Sequence, residues 1–557
     1  MHRLRTPLDA PLGLFFISAL GGVWASYNRA LSWPMLTAIA LSIICYYVII
    51  NISTSEHRVW VLALCGVLGS LVVAIYFVTQ CGHLEYPQKL GSISRLSRAL
   101  GRVFPRFTPF HPHRNSVAAF LEGWLPLAVA MTVGARRWWM RVAAGVCAAV
   151  LALAILLSVS RGAWLALALC LPLWWATRSR RNLIVATVCG VALILGLAGY
   201  LTLVPGASLE RVPVINQTLV PLFTRPDRVE VYRGSWYLVQ DFPFTGIGLG
   251  GTFAMVYSRY VLLIQVPFLT YSHNLFLQVW LNHGLPGILA FLWLIAAFCV
   301  FVWRVERRGG VLFPLFQGAW LGVAAILLHG LSDARQYADG WTFLPFFALL
   351  GLAIASQRIS ESADGQISKS ANQRVGRWVL VVSAVVLGMV GLLMWRPLAA
   401  MAYANAGALA QTRGQLAEGL ADEQRSALLE QAVSYYERAI SLDADNRTAQ
   451  QRLGMLAMDS RRLDEAVAHL EAAYRADPAN TTTRKALGLA YTWAGRLDQA
   501  KQLLIGAPDI VEELNVWGWW WGTQGEMEWA ANAYRVSLLL RPEQPRVRNL
   551  LSTLEDR

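Results

Sequence analysis

The residues in this chain best suited to chemistry are arginines and histidines standing at the ends of apolar stretches. They are Arg161 in SRGAW, Arg228 and Arg233 in DRVEVYRGSWYLVQDFPFTGIGLGG, His273 in YSHNLFLQVWLNHGLPG, and His329 with Asp333 in LLHGLSD. A guanidinium is always charged and presents a planar fork matched to phosphate oxygens. A neutral imidazole can take a proton from a hydroxyl near neutral pH. Ionisable groups at membrane depth are costly and mark functional positions. Together these groups suit a membrane-anchored diphosphate better than a soluble substrate.

Plainer readings stand beside these. Arg161 could snorkel to lipid headgroups, although no acid lies near it in sequence. His273 heads an apolar segment that Ser272 or Asn274 can cap, which would aim a positive helix end at the same place; it could equally bond a backbone carbonyl. His283 is expected to be deeper and structural, and His329 either orients a substrate or packs between helices. Arg228, Tyr232 and Trp236 are spaced by four and share one helical stripe. GIGLGG resembles a nucleotide loop, but no buried strand precedes it and no lysine follows, so a turn permitting close backbone approach is expected. No His/Cys/Asp/Glu group has metal-ligand spacing, and no Gly-x-Ser-x-Gly elbow is present. The expected chemistry uses no metal and no cofactor, and relies on arginine to neutralise a leaving phosphate.

The elements that must position these groups are membrane spans. Of 557 residues, 56% are apolar and 15% charged, and mean hydropathy is +0.43; a soluble chain would carry about a quarter charged residues. Apolar segments long enough to cross a bilayer recur near 10–26, 32–51, 59–80, 115–134, 142–159, 162–177, 183–204, 284–303, 311–330, 341–356 and 377–395. That predicts about eleven spans, with the first retained as an anchor. Cations collect in alternate short connections, at Arg58, at Arg136, Arg137 and Arg141, at Arg178, Arg180 and Arg181, at Arg304, Arg307 and Arg308, and at Arg374 and Arg377. The bias places the N-terminus in the cytoplasm and the arginine–histidine motifs outside. The loop 81–113 departs from it, carrying five cations on the outer side. The connection 205–270 is too long for a simple loop and adds Arg211 to the outer cations.

The net charge of +14 divides unevenly: residues 1–397 hold 31 cations and 13 acids, residues 398–557 hold 17 and 21. The basic half is the membrane half, so lipid rather than nucleic acid is the expected partner. Six cysteines lie within spans and Cys81 at a span end, without a CxxC, which predicts packing thiols.

Residues 432–465 and 466–499 align at a period of 34, pairing Ala432 with Ala466, Gly454 with Gly488 and Leu463 with Leu497. This is the tetratricopeptide pattern, and an irregular third unit runs from Gly525 to Pro542. Such repeats stack into a solenoid that can hold a protein partner. The WGWWW cluster at 517–521 suggests sugar stacking, but an interface belt or the solenoid core is the expected place for it. The chain thus divides into a polytopic membrane domain, 1–397, and an extracytoplasmic repeat domain, 398–557, in an all-α fold.

Five pieces in this order, HRNSVAAFLEGWLPLA (113–128), SRGAWLA (160–166), DRVEVYRGSWYLVQDFPFTGIGLGGTF (227–253), SHNLFLQVWLNHGLPG (272–287) and HGLSD (329–333), resemble the O-antigen ligase and O-antigen polymerase superfamily of bacterial inner-membrane proteins. The resemblance implies a GT-C-like helical fold and transfer of a glycan from undecaprenyl diphosphate to a hydroxyl of a sugar, lipid or protein acceptor. It implies diphosphate-binding roles for Arg161 and Arg228 and acceptor activation by His273. The expected reaction is a metal-independent, inverting single displacement, with Arg211, Arg233, His329 and Asp333 as auxiliary substrate-binding groups. His283 stands where relatives often carry an acid. Ligase, polymerase and protein O-oligosaccharyltransferase remain open alternatives. A lipid-linked glycan flippase is disfavoured, because the polar groups gather at span ends rather than deep in several helices.

Overall fold

The structure, a computed structural model, describes residues 5–83, 91–107, 113–203, 226–363 and 394–555. Among these residues all regular secondary structure is helical. The membrane part comprises α1 (Asp9–Ala25), α2 (Trp33–Ile52), α3 (Glu56–Gln80), α4 (Gly91–Val103), α5 (Arg114–Leu121), α6 (Trp124–Gly134), α7 (Trp138–Ser158), α8 (Arg161–Thr177) and α9 (Arg180–Leu203). It continues with α10 (Pro226–Asp241), α11 (Phe253–Tyr257), α12 (Leu275–Val305), α13 (Phe313–Gly330) and α14 (Leu344–Ala363).

Seven helical segments among the described residues are long and apolar enough to span a bilayer, and α1 is a shorter apolar helix. This is fewer than the eleven expected. The stretches at 10–26 and 162–177 become helices of 17 residues, and most of 377–395 lies outside the described residues. The helices are apolar on all sides, not on one stripe, so large side chains such as Ile17, Val72, Val133 and Leu171 remain on the surface. That pattern belongs to helices solvated by lipid. All seven cysteines are free.

The cationic loop after α3 contains α4, a helix with Arg95, Arg98 and Arg102 that is held against the end of α3. Gln80 accepts from Phe107 N at 2.8 Å and donates to Pro105 O at 3.2 Å. A basic amphipathic helix at a span end suits a lipid interface.

The C-terminal helices form antiparallel pairs: α15 (Trp395–Leu416) with α16 (Asp422–Leu442), α17 (Arg447–Asp459) with α18 (Leu463–Ala476), α19 (Thr481–Trp493) with α20 (Leu497–Leu504), and α21 (Ile510–Thr523) with α22 (Met527–Leu540). A last helix, α23 (Pro545–Glu555), packs on α22. In each pair a glycine of the first helix meets a side chain of the second: Gly407 and Tyr436, Gly454 and Leu470, Gly488 and Leu504, Gly518 and Tyr534. The 34-residue period, read over 432–465 and 466–499, runs from within α16 through α17, α18 and α19 into the start of α20.

The solenoid is fastened to the segment between α9 and α12. Asp241, at the end of α10, is buried against Arg447 (2.8 Å) and Arg452 (2.7 Å) and accepts from Thr448 Oγ1 at 2.9 Å. Burial pushes the Asp241 pKa up, but the two guanidinium groups outweigh it and hold the carboxyl below its ordinary range. Asn405 Oδ1 accepts from Phe244 N at 3.0 Å, and Lys485 Nζ donates to Leu262 O at 2.9 Å.

Candidate active site

The site forms where α5, α8, α10, α12 and the turn after α13 meet. Each element arrives there for a local reason. Helix α7 ends at Val159 in the left-handed conformation, so the chain reverses within three residues and starts α8 at Arg161. Gly162 then lies so close to α13 that a Cβ there would stand 2.6 Å from His329 Cδ2 and 2.9 Å from Ser332 Oγ. This approach brings the start of α8, which begins at Arg161, to the His329–Ser332 turn. Helix α12 is capped by Asn274, whose Oδ1 accepts from Phe276 N and Leu277 N, while its Nδ2 donates to Leu331 O at 2.9 Å. The capped N-terminus carries a partial positive charge, and His273 immediately precedes it.

Helix α10 lies across these ends. As the spacing predicted, Arg228, Tyr232 and Trp236 share one face. Arg228 Nη1 donates to Ser332 O at 2.6 Å, Tyr232 donates to His273 O at 3.2 Å, and Trp236 meets Trp280 edge-on. The glycine motif that follows is a backbone contact, not a nucleotide loop. Gly246, Gly248 and Gly250 all have positive φ, and a Cβ on Gly248 would stand 2.5 Å from Ser26 Cα. Leu249 N donates to Gly22 O at 3.0 Å and Ile247 N to Leu281 O at 2.7 Å, which pins the loop between α1 and the break in α12 at Gly284.

The centre of the cluster is Asp333, which is 1% exposed. Its carboxylate accepts from Asn115 Nδ2 (3.2 Å) and Arg335 N (3.1 Å), and it lies 4.0 Å from both Arg228 Nη2 and His273 Nδ1. Burial raises the Asp333 pKa, but His329, His273, Arg228 and Arg335 outweigh it, so the group is held ionised below the ordinary carboxylate range. For His273, burial disfavours the imidazolium and Arg228 and Arg335 add to that. Asp333 opposes them, and the net shift is downward. The ring is therefore neutral at physiological pH and able to accept a proton.

Two features of His273 exceed what packing requires. Its backbone is left-handed (φ 56°), a conformation that costs a non-glycine residue about 1 kcal/mol or more. Its Nδ1 is buried without a hydrogen-bond partner among the described residues. Nδ1 lies on the Asp333 side, which leaves Nε2 as the nitrogen for a reacting hydroxyl.

Behind this layer, His329 Nδ1 is 2.7 Å from Glu122 Oε2, and Gln336 donates to the other oxygen of Glu122 at 3.1 Å, all three side chains being buried. His329 therefore packs between helices and supports the turn that holds Arg228. Arg335 lies over the Tyr271 ring (5.0 Å), and its buried Nε has no hydrogen-bond partner among the described residues. His113 caps α5, and burial together with Arg335 and Arg114 lowers its pKa to about 4 against the pull of Asp333.

Of the residues expected from sequence, Arg161, Arg228, His273, His329 and Asp333 come to one corner. Arg233 does not: it is exposed, and five residues along the helix turns it roughly 140° from Arg228. Arg211 lies outside the described residues. His283 is structural, stacked on Phe15 at 4.5 Å and bonded to Ser18 (3.0 Å) and Tyr337 (2.6 Å). Asn115, Glu122, Tyr232 and Arg335 join the cluster without having been assigned to it. Glu122 carried a readable signal, being an acid within an apolar span. Among the described residues no group of three or more His, Cys, Asp or Glu is placed to hold a metal ion.

Residues 146–292 match the O-antigen ligase family, and residues 426–446 and 457–515 match tetratricopeptide repeat families. The ligase match spans Arg161, Arg228 and His273. No curated protein matches the chain.

Proposed function

We propose that the O-antigen ligase domain of this chain transfers a glycan from an undecaprenyl-diphosphate carrier to a hydroxyl acceptor at the outer face of a bacterial cytoplasmic membrane. The coarse class, a multi-pass bacterial membrane protein of the ligase or polymerase type, follows from the matched family and the apolar helices. The donor, the side of the membrane and the chemical roles are our reading. In it, residues 1–397 form the membrane glycosyltransferase and 398–557 the extracytoplasmic solenoid.

The observation that carries it is the approach of Arg228 and His273 to one buried carboxylate, each at 4.0 Å from Asp333. An anion-binding fork and a neutral base thus share one corner, beside the capped end of α12. A cavity of about 580 Å³ adjoins it at Tyr271 and Asp339, with an apolar wall of Pro34, Met35, Leu41 and Leu344. That combination fits a diphosphate head with a hydrocarbon tail.

The acceptor oxygen attacks the anomeric carbon as the carbon–oxygen bond to phosphate breaks, inverting the centre. The acceptor proton passes to His273 Nε2. Undecaprenyl diphosphate departs with the bonding pair, and Arg161 and Arg228 neutralise the charge that develops on it. Asp333, 4.0 Å from His273 Nδ1, stabilises the imidazolium that forms.

Purified chain, a defined undecaprenyl-diphosphate glycan and three acceptors (a lipid A–core saccharide, a polysaccharide end and a Ser/Thr peptide) test this by product mass spectrometry. Transfer to one acceptor identifies the reaction type. Failure with all three, by a chain whose helices are intact, refutes the reading.

A further inference from the structure

Of the solenoid tryptophans, Trp493 is buried in the core, and Trp517, Trp521 and Trp529 pack against it. Trp517, Trp520, Trp521 and Trp529 surround a cavity of about 250 Å³ whose other wall comes from the segment leading to His273, including Gln265. Trp520 and Trp521 are edge-on at 4.4 Å and Trp521 and Trp529 at 4.6 Å, while Trp517 stacks on Trp521 at 5.8 Å. Trp520 is 39% exposed. The ion pair Arg259–Asp459 (2.6 Å) ties the two walls together at the cavity. The Trp521 indole nitrogen is buried and has no hydrogen-bond partner among the described residues, although a buried indole N–H usually finds one.

Several apolar ring faces, an amide (Gln265) and a guanidinium (Arg461, paired with Glu526) lining a small concave site are a recognition set for a saccharide. Pyranose C–H faces pack on indoles, and ring hydroxyls accept from the amide and guanidinium donors. A lipid tail would leave these donors unsatisfied, and 250 Å³ between two walls is too small for a protein helix. We infer that the Trp517–Trp529 cavity is a second glycan-binding site, which grips the saccharide chain away from the reacting sugar. This rests on the transfer reading for the nature of the glycan, but its test does not depend on catalysis.

The probe is polysaccharide released by mild acid from the envelope of the bacterium encoding the chain, fractionated by length and free of lipid and diphosphate. Saturation-transfer NMR and tryptophan fluorescence on the full chain in nanodiscs should show binding by wild type. Trp520→Ala and Gln265→Ala should each weaken it about tenfold or more, the effect typical of truncating an anchoring side chain. Trp519→Ala should not, because Trp519 is 62% exposed on the same helix but does not line the cavity. Thermal unfolding of each variant excludes global misfolding. No binding by wild type, or undiminished binding by both cavity variants, overturns the inference. So does equal loss in Trp519→Ala together with weakened binding of the detergent-purified chain to phosphatidylglycerol vesicles, the signature of an interfacial belt. A chain that binds polysaccharide but transfers nothing would refute the catalytic reading alone.

Discussion

Replacing Gly162 with alanine probes the corner where Arg161 and Arg228 are set, without touching either charge. The new Cβ would stand 2.6 Å from His329 Cδ2, whereas ordinary contact begins at 3.4 Å, so the ring must yield by about 0.8 Å. It cannot simply swing aside, because Nδ1 is held by Glu122 at 2.7 Å and the ring is buried. The same methyl presses on Ser332 Oγ at 2.9 Å, in the residue whose carbonyl anchors Arg228. Overpacking of this kind costs about 1–3 kcal/mol, while alanine in place of glycine within a helix returns about 1 kcal/mol. Stability should therefore change little. The rate should change much more, since a shift on the order of 1 Å in a positioning group can cost about a hundredfold. Initial rates on a defined undecaprenyl-diphosphate glycan, with thermal unfolding in the same detergent, should show kcat reduced on the order of a hundredfold and Tm moved by only a few degrees. Gly21→Ala is the control, because nothing lies within 4 Å of its added carbon. Wild-type kcat in Gly162→Ala would refute the claim that this turn positions the groups proposed for transfer.

Alanine at Arg161, Arg228 or His273 should lower turnover by about 10²–10³ while membrane insertion persists, as measured with a fluorescent lipid-linked donor; a fully active variant removes that residue from the mechanism. Because burial, Arg228 and Arg335 keep His273 below its ordinary value of 6.5, the acid limb of kcat/KM should fall below that pH. Arg335→Gln removes a cation and should move the limb upward, while Asp333→Asn removes the opposing carboxylate and should move it downward. A pH series on the three proteins decides this, and shifts of the opposite sign would reject His273 as the base. Arg452→Ala deletes a fully buried guanidinium bonded to Asp241 and lying 3.7 Å above Tyr260. Breaking a buried pair costs about 3–5 kcal/mol, so hydrogen exchange should speed up across residues 226–262 and transfer should fall, with the spans unaffected.

The sequence by itself settled what depends on local pattern. Apolar runs announced spans because a helix in lipid must be apolar all round. The 34-residue period announced the solenoid because each pair buries a glycine at the same crossing, as Gly454 and Gly488 show. The spacing of Arg228, Tyr232 and Trp236 announced a shared helix face, and the glycine motif a close approach. Tertiary structure decided whatever depends on which ends meet. Asp333 is the hub of the cluster because α5, α10 and α12 all terminate against the turn after α13, and no spacing within one segment encodes that meeting. The same packing turned Arg233 outward, placed Arg335 over Tyr271, and assigned His329 to Glu122, a partner 207 residues away. It also brought the tryptophans of one domain and Gln265 of the other around one cavity. A charge or a ring has chemical meaning only relative to its neighbours, and in a helical membrane protein those neighbours come from distant parts of the chain.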